Sequence, residues 1–353
     1  RQRLQNLRSN ITADTICSKP VSRILAFYVL SRALLNRRVI LINIKNSHLL
    51  SCSVKMESKM AKIADVEPHR HTQIDVIPLA GALGAEVRGV DIAGGVDDDL
   101  LAEIHRAWLD HHVIYFRDQN LTPDQHVAFA MQFGGIHLHL FNKSLDGHPE
   151  IIEMLKTPEE TVNNGDVWHS DQMYTPKPAK GTMLYGREIP PYGGDTMFAN
   201  LYLAYEALSD GLKNTLAGLK GVNNGDTKNN ATGMSRMDRI NAGLPQIPQV
   251  DPGDAQTISI HPLVRTHPET GRKALYLGYH TDRIDGWSSE ESKPLLAYLD
   301  EHAHRPEFTC RMRWEKDTLT FWDNRCTQHF AVNDYTGYQR RIHKVMIQGD
   351  TPI

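Results

Sequence analysis

Cysteine is scarce in this chain, and the few present form no pattern. Cys17, Cys52, Cys310 and Cys326 show no C-x-x-C spacing and offer no disulfide framework, so a reducing compartment is the simpler setting. Long apolar runs are missing too. None approaches the ~20 residues of a membrane span, and no membrane partner is expected. No segment repeats. Acids are nearly absent from the start of the chain: Arg1 to Lys55 holds ten Lys/Arg and one acid, Asp14. From Met60 onward the balance reverses, with 28 Lys/Arg against 40 Asp/Glu, a net of −12. Such a body is a poor nucleic-acid binder. To bind a small anion it must use a few well-placed Arg or Lys.

The 353 residues suffice for one large domain or two ordinary ones, and a 40% hydrophobic content supports a core. Residues 1–59 read apart from the rest. "VSRILAFYVLSRALLNRRVILINIKNSHLL" is basic, apolar and acid-free. It suits either an organelle transit segment or an upstream extension ahead of starts at Met56 and Met60. We favour the extension and expect a cytoplasmic enzyme domain over 60–353, with organelle targeting left open.

Within that domain, "IDVIPLAGALGAEVRGVDI" alternates like strands punctuated by glycines and predicts a hairpin. "DDDLLAEIHRAWLDH" places Leu100, Leu101, Ile104, Trp108 and Leu109 at helical spacing behind acids, as a helix N-terminus prefers. "HVIYFRDQ" predicts a strand. "TPDQHVAFAMQFG" predicts a helix capped by Thr122, with Pro123 at N1 and Gly134 as its stop. After residue 165 strands dominate, with helices expected in "LYLAYEALSDGLKNTLAGL" and "SEESKPLLAYLDEHAHR". The Asn-, Gly- and Pro-rich stretch from Val222 to Asp254 is expected to be a long loop.

Chemistry enters with "DVWHSDQMYTP", residues 166–176. His169 and Asp171 are two apart, which alone means little. A third ligand comes from "TLTFWDNRCTQHFAVNDYTGYQRRIHKVMIQGD", where His329 follows a polar turn. Two imidazoles and one carboxylate on one face of a metal, with the opposite positions open, point to non-haem Fe(II) oxygenases. Three protein ligands leave room for a bidentate cosubstrate and O₂.

These motifs carry a resemblance. "GAEVRGVDI", "HHVIYFRDQNLTPDQHVAFAMQFG", "WHSDQMY", "PPYGGDTMFANLYLAYEAL", "HPLVRTHPETGRKALYLG" and "FWDNRCTQHFAVNDYTGYQRR" occur in the order found in the taurine dioxygenase (TauD/TfdA) family of Fe(II)/2-oxoglutarate dioxygenases. The chain resembles that family over residues 74 to 351. The resemblance implies a mixed α+β fold with a double-stranded β-helix, a jelly-roll core, and flanking helices. It implies iron on His169, Asp171 and His329, with 2-oxoglutarate and O₂ as cosubstrates. Thr196 in "GGDT" would bond a carboxylate of 2-oxoglutarate, and Arg340 would pair with its distal carboxylate, which suits a fork-shaped guanidinium. His139 and Lys344 would reach the primary substrate.

Departures from the family pattern bear on that substrate. Lys344 stands where the family has an Arg, keeping the charge but losing the fork. Asn142 replaces a pocket Tyr, Gly165 falls where a pocket Asn lies, and His280 sits near an expected Phe. We expect a small organic anion larger than taurine, such as a sulfonate, sulfate ester or aryloxy acid, oxidised next to a leaving group by a homo-oligomer. Plainer roles compete. His137 and His139 would share a strand face and read as surface residues without the family match. Arg341 reads as a solvated charge, Trp168 and Trp322 as packing residues, and Cys326 as no ligand. Two alternatives remain: a zinc hydrolase using the same ligands, which lacks an H-E-x-x-H motif, and a binding protein without turnover.

Overall fold

The computed structural model describes residues 71–163, 165–227, 233–242 and 249–353, apart from the side chain of Arg239. The basic segment 1–59 and its junction therefore lie outside the described residues. The chain forms strands and helices in alternation. Strands β1 (Asp75–Pro78) and β2 (Ala85–Arg88) make the expected antiparallel hairpin. Helix α1 (Asp98–His111) follows, then β3 (Val113–Phe116), α2 (Pro123–Met131) and β4 (Ile152–Lys156). Next come β5 (Gly181–Glu188), β6 (Thr196–Asn200), α3 (Leu201–Glu206) and α4 (Asp210–Leu216). Then β7 (Lys220–Asn224), α5 (Arg236–Asn241), β8 (Ile258–Pro262), β9 (Val264–Thr266), β10 (Lys273–Leu275) and β11 (Thr281–Ile284). Helix α6 (Ser289–Ala303) precedes β12 (Thr309–Met312), β13 (Leu319–Asp323), β14 (Thr327–Ala331) and β15 (Arg340–Ile347).

Seven strands form one sheet in the order β1-β2-β3-β13-β5-β15-β4, and a second sheet runs β12-β6-β14. Leu184 of β5, Trp322 of β13 and Ile342 of β15 share a buried cluster with Phe198 of β6 and Cys310 and Met312 of β12, so the two sheets pack on each other. The middle strand β13, "LTFWD", is buried at all five positions. On its other side it meets α1, where Trp108 stacks on Phe321 with centroids 4.3 Å apart. Such large apolar side chains contribute ~1.5–3 kcal/mol each on burial.

The helix ends follow the capping chemistry. Asp97 accepts from Leu100 N to start α1, and Thr122 forms a capping box with Gln125 to start α2. Helix α2 closes at Met131, three residues before Gly134. Two expectations need correction. "LYLAYEALSDGLKNTLAGL" is not one helix, because Ser209 caps a fresh start at α4. The stretch 222–254 is not a structureless loop. It opens in β7, which pairs with β8 and β11, and it carries α5, capped by Ser235. Asparagine-rich "KGVNN" has little strand propensity, and only its two partners make it a strand.

Among the described residues no helix is long and apolar enough to cross a membrane.

Candidate active site

The backbone brings the ligand triad together first. His169 and His329 pair as an antiparallel bridge, with His169 N donating to His329 O at 3.1 Å and His329 N donating to His169 O at 2.9 Å. In the next two residues, Ser170 Oγ donates to Thr327 O at 2.7 Å, and Asp171 N donates to Asn324 Oδ1 at 3.2 Å. The segment carrying "HSD" is thus sewn to the turn before β14 and to β14 itself. His169, Asp171 and His329 each offer a donor atom, all within 4.8 Å of one another.

The side chains are oriented as metal ligands must be. His169 Nδ1 lies 2.7 Å from Val167 O. A carbonyl only accepts, so Nδ1 carries the proton and Nε2 keeps its lone pair, facing Asp171 Oδ1 at 3.9 Å. Thr182 Oγ1 donates to Asp171 Oδ2 at 2.6 Å, and Asn324 Nδ2 holds that hydroxyl at 2.9 Å. Trp322 Nε1 in turn holds Asn324 Oδ1, so Trp322 does more than pack. Burial alone would raise the Asp171 carboxyl. Lys344, His329 and His169 pull it far below the carboxylate range instead. Burial pushes both imidazoles down, His329 most strongly, so both are neutral. His329 Nδ1 is buried without a hydrogen-bond partner. A neutral, partly orphaned imidazole pair beside an ionised carboxylate fits a divalent metal.

One cavity holds the triad together with every other residue the sequence nominated: His139, Asn142, Gly165, Thr196, His280, Arg340 and Lys344. Two glycines shape it. Gly165, at φ +81°, has room for a Cβ only in contact with His169 Cε1 at 3.4 Å, so a larger residue would crowd that ligand. Gly194, at φ +69°, lies where a Cβ would come within 3.1 Å of Tyr335 and 3.3 Å of Arg340 Cδ. The "GGDT" turn therefore has to be small to let Arg340 pass.

At one end of the cavity, Arg340 is buried with no carboxylate in ion-pair range among the described residues. Burial lowers its pKa against the raising pull of Tyr335. Thr196 Oγ1 accepts from Trp314 Nε1 at 2.9 Å, which leaves the hydroxyl proton to donate elsewhere. The sequence reading missed Lys156 here. Strand β4 places it opposite Arg340, and its buried ammonium has no hydrogen-bond partner and sits 4.2 Å from the Tyr335 ring centroid.

His139 lies at the other end, outside any strand. Its Nδ1 accepts from Phe141 N and Asn142 N, both at 3.0 Å. The proton of this neutral ring is therefore on Nε2. Burial holds its pKa well below the usual value. His280 donates through Nδ1 to Asn224 O at 3.1 Å and meets Tyr174 edge-on. Asn142 bridges to Gln249. Lys344 enters the cavity on the face it shares with Arg340, as expected, but its ammonium has a partner that was not foreseen. It donates to Asp171 Oδ1 at 2.5 Å. Arg341 is half-exposed, 4.0 Å from Glu153, and His343 is buried against the same Glu153 at 3.2 Å. Neither lines the cavity.

A second ligand-like cluster, His267, Asp323 and Cys326, has no such freedom. His267 Nε2 is spent on Asp323 at 3.0 Å, and its Nδ1 accepts from Glu269 N and Thr270 N. Arg325 occupies both Asp323 oxygens, and burial raises the Cys326 thiol well above its usual value. This is a structural network.

Comparison with known proteins agrees with the geometry. Residues 75–346 match the family described as taurine catabolism dioxygenase TauD, TfdA family. A sulfate ester dioxygenase of Pseudomonas putida, named as alpha-ketoglutarate-dependent, is 33% identical over 81% of this chain and 93% of its own length. An (S)-phenoxypropionate/alpha-ketoglutarate-dioxygenase of Sphingobium herbicidovorans is 32% identical over 78% of this chain and 95% of its own. The crystal structure of a taurine dioxygenase from Burkholderia xenovorans superposes with a TM-score of 0.67, at 37% identity, covering 80% of this chain and 91% of that one. The chain belongs to the TauD, TfdA family and is a dioxygenase.

Proposed function

We propose that the protein is an Fe(II)- and 2-oxoglutarate-dependent dioxygenase that hydroxylates a small organic anion, a sulfate ester, sulfonate or aryloxy acid, at the carbon bearing its leaving group. One observation carries this reading. The cavity that holds a neutral His, His and ionised Asp set also holds two buried cations, Arg340 and Lys156, with no carboxylate partner among the described residues. A buried cation without a partner is costly, and a dicarboxylate cosubstrate meets that demand.

Iron bound there would let O₂ oxidise two partners at once: 2-oxoglutarate loses CO₂ and takes one oxygen atom to become succinate, and the other oxygen atom enters a substrate C–H bond. The protein's part is placement. His169, Asp171 and His329 hold the metal, with Val167 O fixing the His169 tautomer and Thr182 and Lys344 fixing Asp171. Arg340 and Lys156 take the distal carboxylate, and Thr196 donates its free hydroxyl proton to it. His139 offers Nε2–H towards the substrate. When the oxidised carbon bears a sulfate ester, its new hydroxyl collapses to an aldehyde and releases sulfate.

The double-stranded β-helix belongs to the same reading, supported by the packing of the seven-stranded sheet on the β12-β6-β14 sheet around the cavity. The relatives named for sulfate esters and phenoxypropionate support the anionic substrate class. The test is succinate formation with iron and 2-oxoglutarate, stimulated by a panel of alkyl sulfates, sulfonates and aryloxy acids. Full turnover with zinc and without iron would sink the proposal in favour of a hydrolase.

A further inference from the structure

The cavity has a cation that neither the triad nor the cosubstrate end uses. Arg236 is the first residue of α5, in the stretch expected to be a bare loop. Ser235 caps that helix, and Met237 N donates to Asp226 Oδ1 at 2.7 Å, which pins the helix to the end of β7. The guanidinium reaches into the cavity, with Cζ 4.5 Å from the Phe141 centroid and 5.7 Å from that of Tyr174. Its Nε is buried with no hydrogen-bond partner, and no carboxylate lies in ion-pair range among the described residues. The side chain lines the cavity together with His139 and His280, whose Tyr174 contact marks the end away from the Tyr335 cluster of Arg340 and Lys156. The other cation of the site, Lys344, is engaged by Asp171.

We propose that Arg236 binds the anionic group of the primary substrate, with Phe141 and Tyr174 flanking its guanidinium. This rests on the dioxygenase reading for what the bound molecule is, but not for the binding itself. A guanidinium resting against the Phe141 ring beside Tyr174 keeps its plane and can present two parallel N–H donors. That geometry suits an oxyanion with at least two free oxygens: an organic sulfate, a sulfonate or a carboxylate. It also assigns the two charged ends of the cavity to two different ligands, cosubstrate at Arg340 and substrate at Arg236.

The experiment is calorimetric titration of hexyl sulfate, hexanesulfonate and phenoxyacetate into the full chain loaded with manganese and 2-oxoglutarate. Wild-type protein is expected to bind at least one of them. Arg236→Met should weaken that binding on the order of ten-fold to a hundred-fold, as for loss of a charge-assisted pair. Arg236→Lys keeps the charge without the fork and should lose roughly three-fold to ten-fold, which also serves if the Met variant fails to fold. The proposal is overturned if wild type binds none of the three, if both Arg236 variants bind as wild type does, or if Lys344→Met loses binding and they do not. Anion binding that depends on Arg236, without succinate formation from any anion, would keep this proposal and remove the oxidative one.

Discussion

Lys156 and Arg340 face each other directly across β4 and β15, and both cations approach the ring of Tyr335, at 4.2 and 5.9 Å from its centroid. Two like charges this close, both buried, repel each other unless an anion lies between them. The Tyr335 ring relieves part of that repulsion through its π-face. Its hydroxyl donates to Asn163 Oδ1 at 3.1 Å.

Cosubstrate affinity should therefore depend on both cations. Arg340→Ala is expected to raise the KM for 2-oxoglutarate roughly ten-fold to a hundred-fold, the range for a charge-assisted pair worth ~1.5–3 kcal/mol. Lys156→Met should raise it by about three-fold to ten-fold, because a point charge without a fork contributes less. Arg341→Ala, at the half-exposed neighbour, should change it less than about two-fold. Steady-state kinetics in 2-oxoglutarate decides the matter, and equal effects of Arg340→Ala and Arg341→Ala would show that the two residues are not divided between inside and outside.

Metal binding should fail in a graded way. Asp171→Ala, His169→Ala and His329→Ala are expected to abolish substrate oxidation while far-UV circular dichroism stays native. Thr182→Val keeps all three ligands but frees Asp171 Oδ2. It should weaken metal affinity by on the order of ten-fold to a hundred-fold, as loss of an outer partner commonly does. Metal titration followed by activity recovery measures this, and wild-type affinity in Thr182→Val would show that the hydroxyl does not hold the carboxylate.

Acid stability should report two buried histidines outside the His169, Asp171 and His329 set. Burial pushes His112 and His126 down to about 3, and both His126 ring nitrogens are buried without partners. The unfolded chain titrates them near 6.5. Between these values the unfolded state binds the extra protons, so stability is whole above about pH 6.5 and falls as the pH drops. Each group contributes a slope of about 1.4 kcal/mol per pH unit. His126→Leu should remove one proton's worth of that slope in urea unfolding between pH 6 and 4. An unchanged slope would mean that His126 is not buried neutral.

The triad and Arg340 were legible because each lies in a short motif whose residues act close to where they stand in the chain. His169 and Asp171 need only a two-residue spacing, and Arg340 only its distance from His329. Lys156 was not legible. No strand was expected over 152–156, and its place opposite Arg340 comes from the register of β4 on β15, a contact across 184 residues. Arg236 was hidden for a related reason: asparagines, glycines and prolines around it read as loop, while Ser235 capping and the Asp226 anchor create a helix there. The position of Lys344 followed from strand alternation, but its partner did not, since alternation gives a face and not the atom waiting on it.

The bridge between His169 and His329 separates two things that a binding site often confounds. Donor spacing is written in main-chain hydrogen bonds, which no side-chain replacement short of proline removes. On the proposed reading selectivity falls elsewhere, to the glycine at 165, the residues around His139 and the short helix bearing Arg236. A lineage built this way can exchange one organic anion for another by editing its periphery, and inherit its oxidative centre intact through every such change.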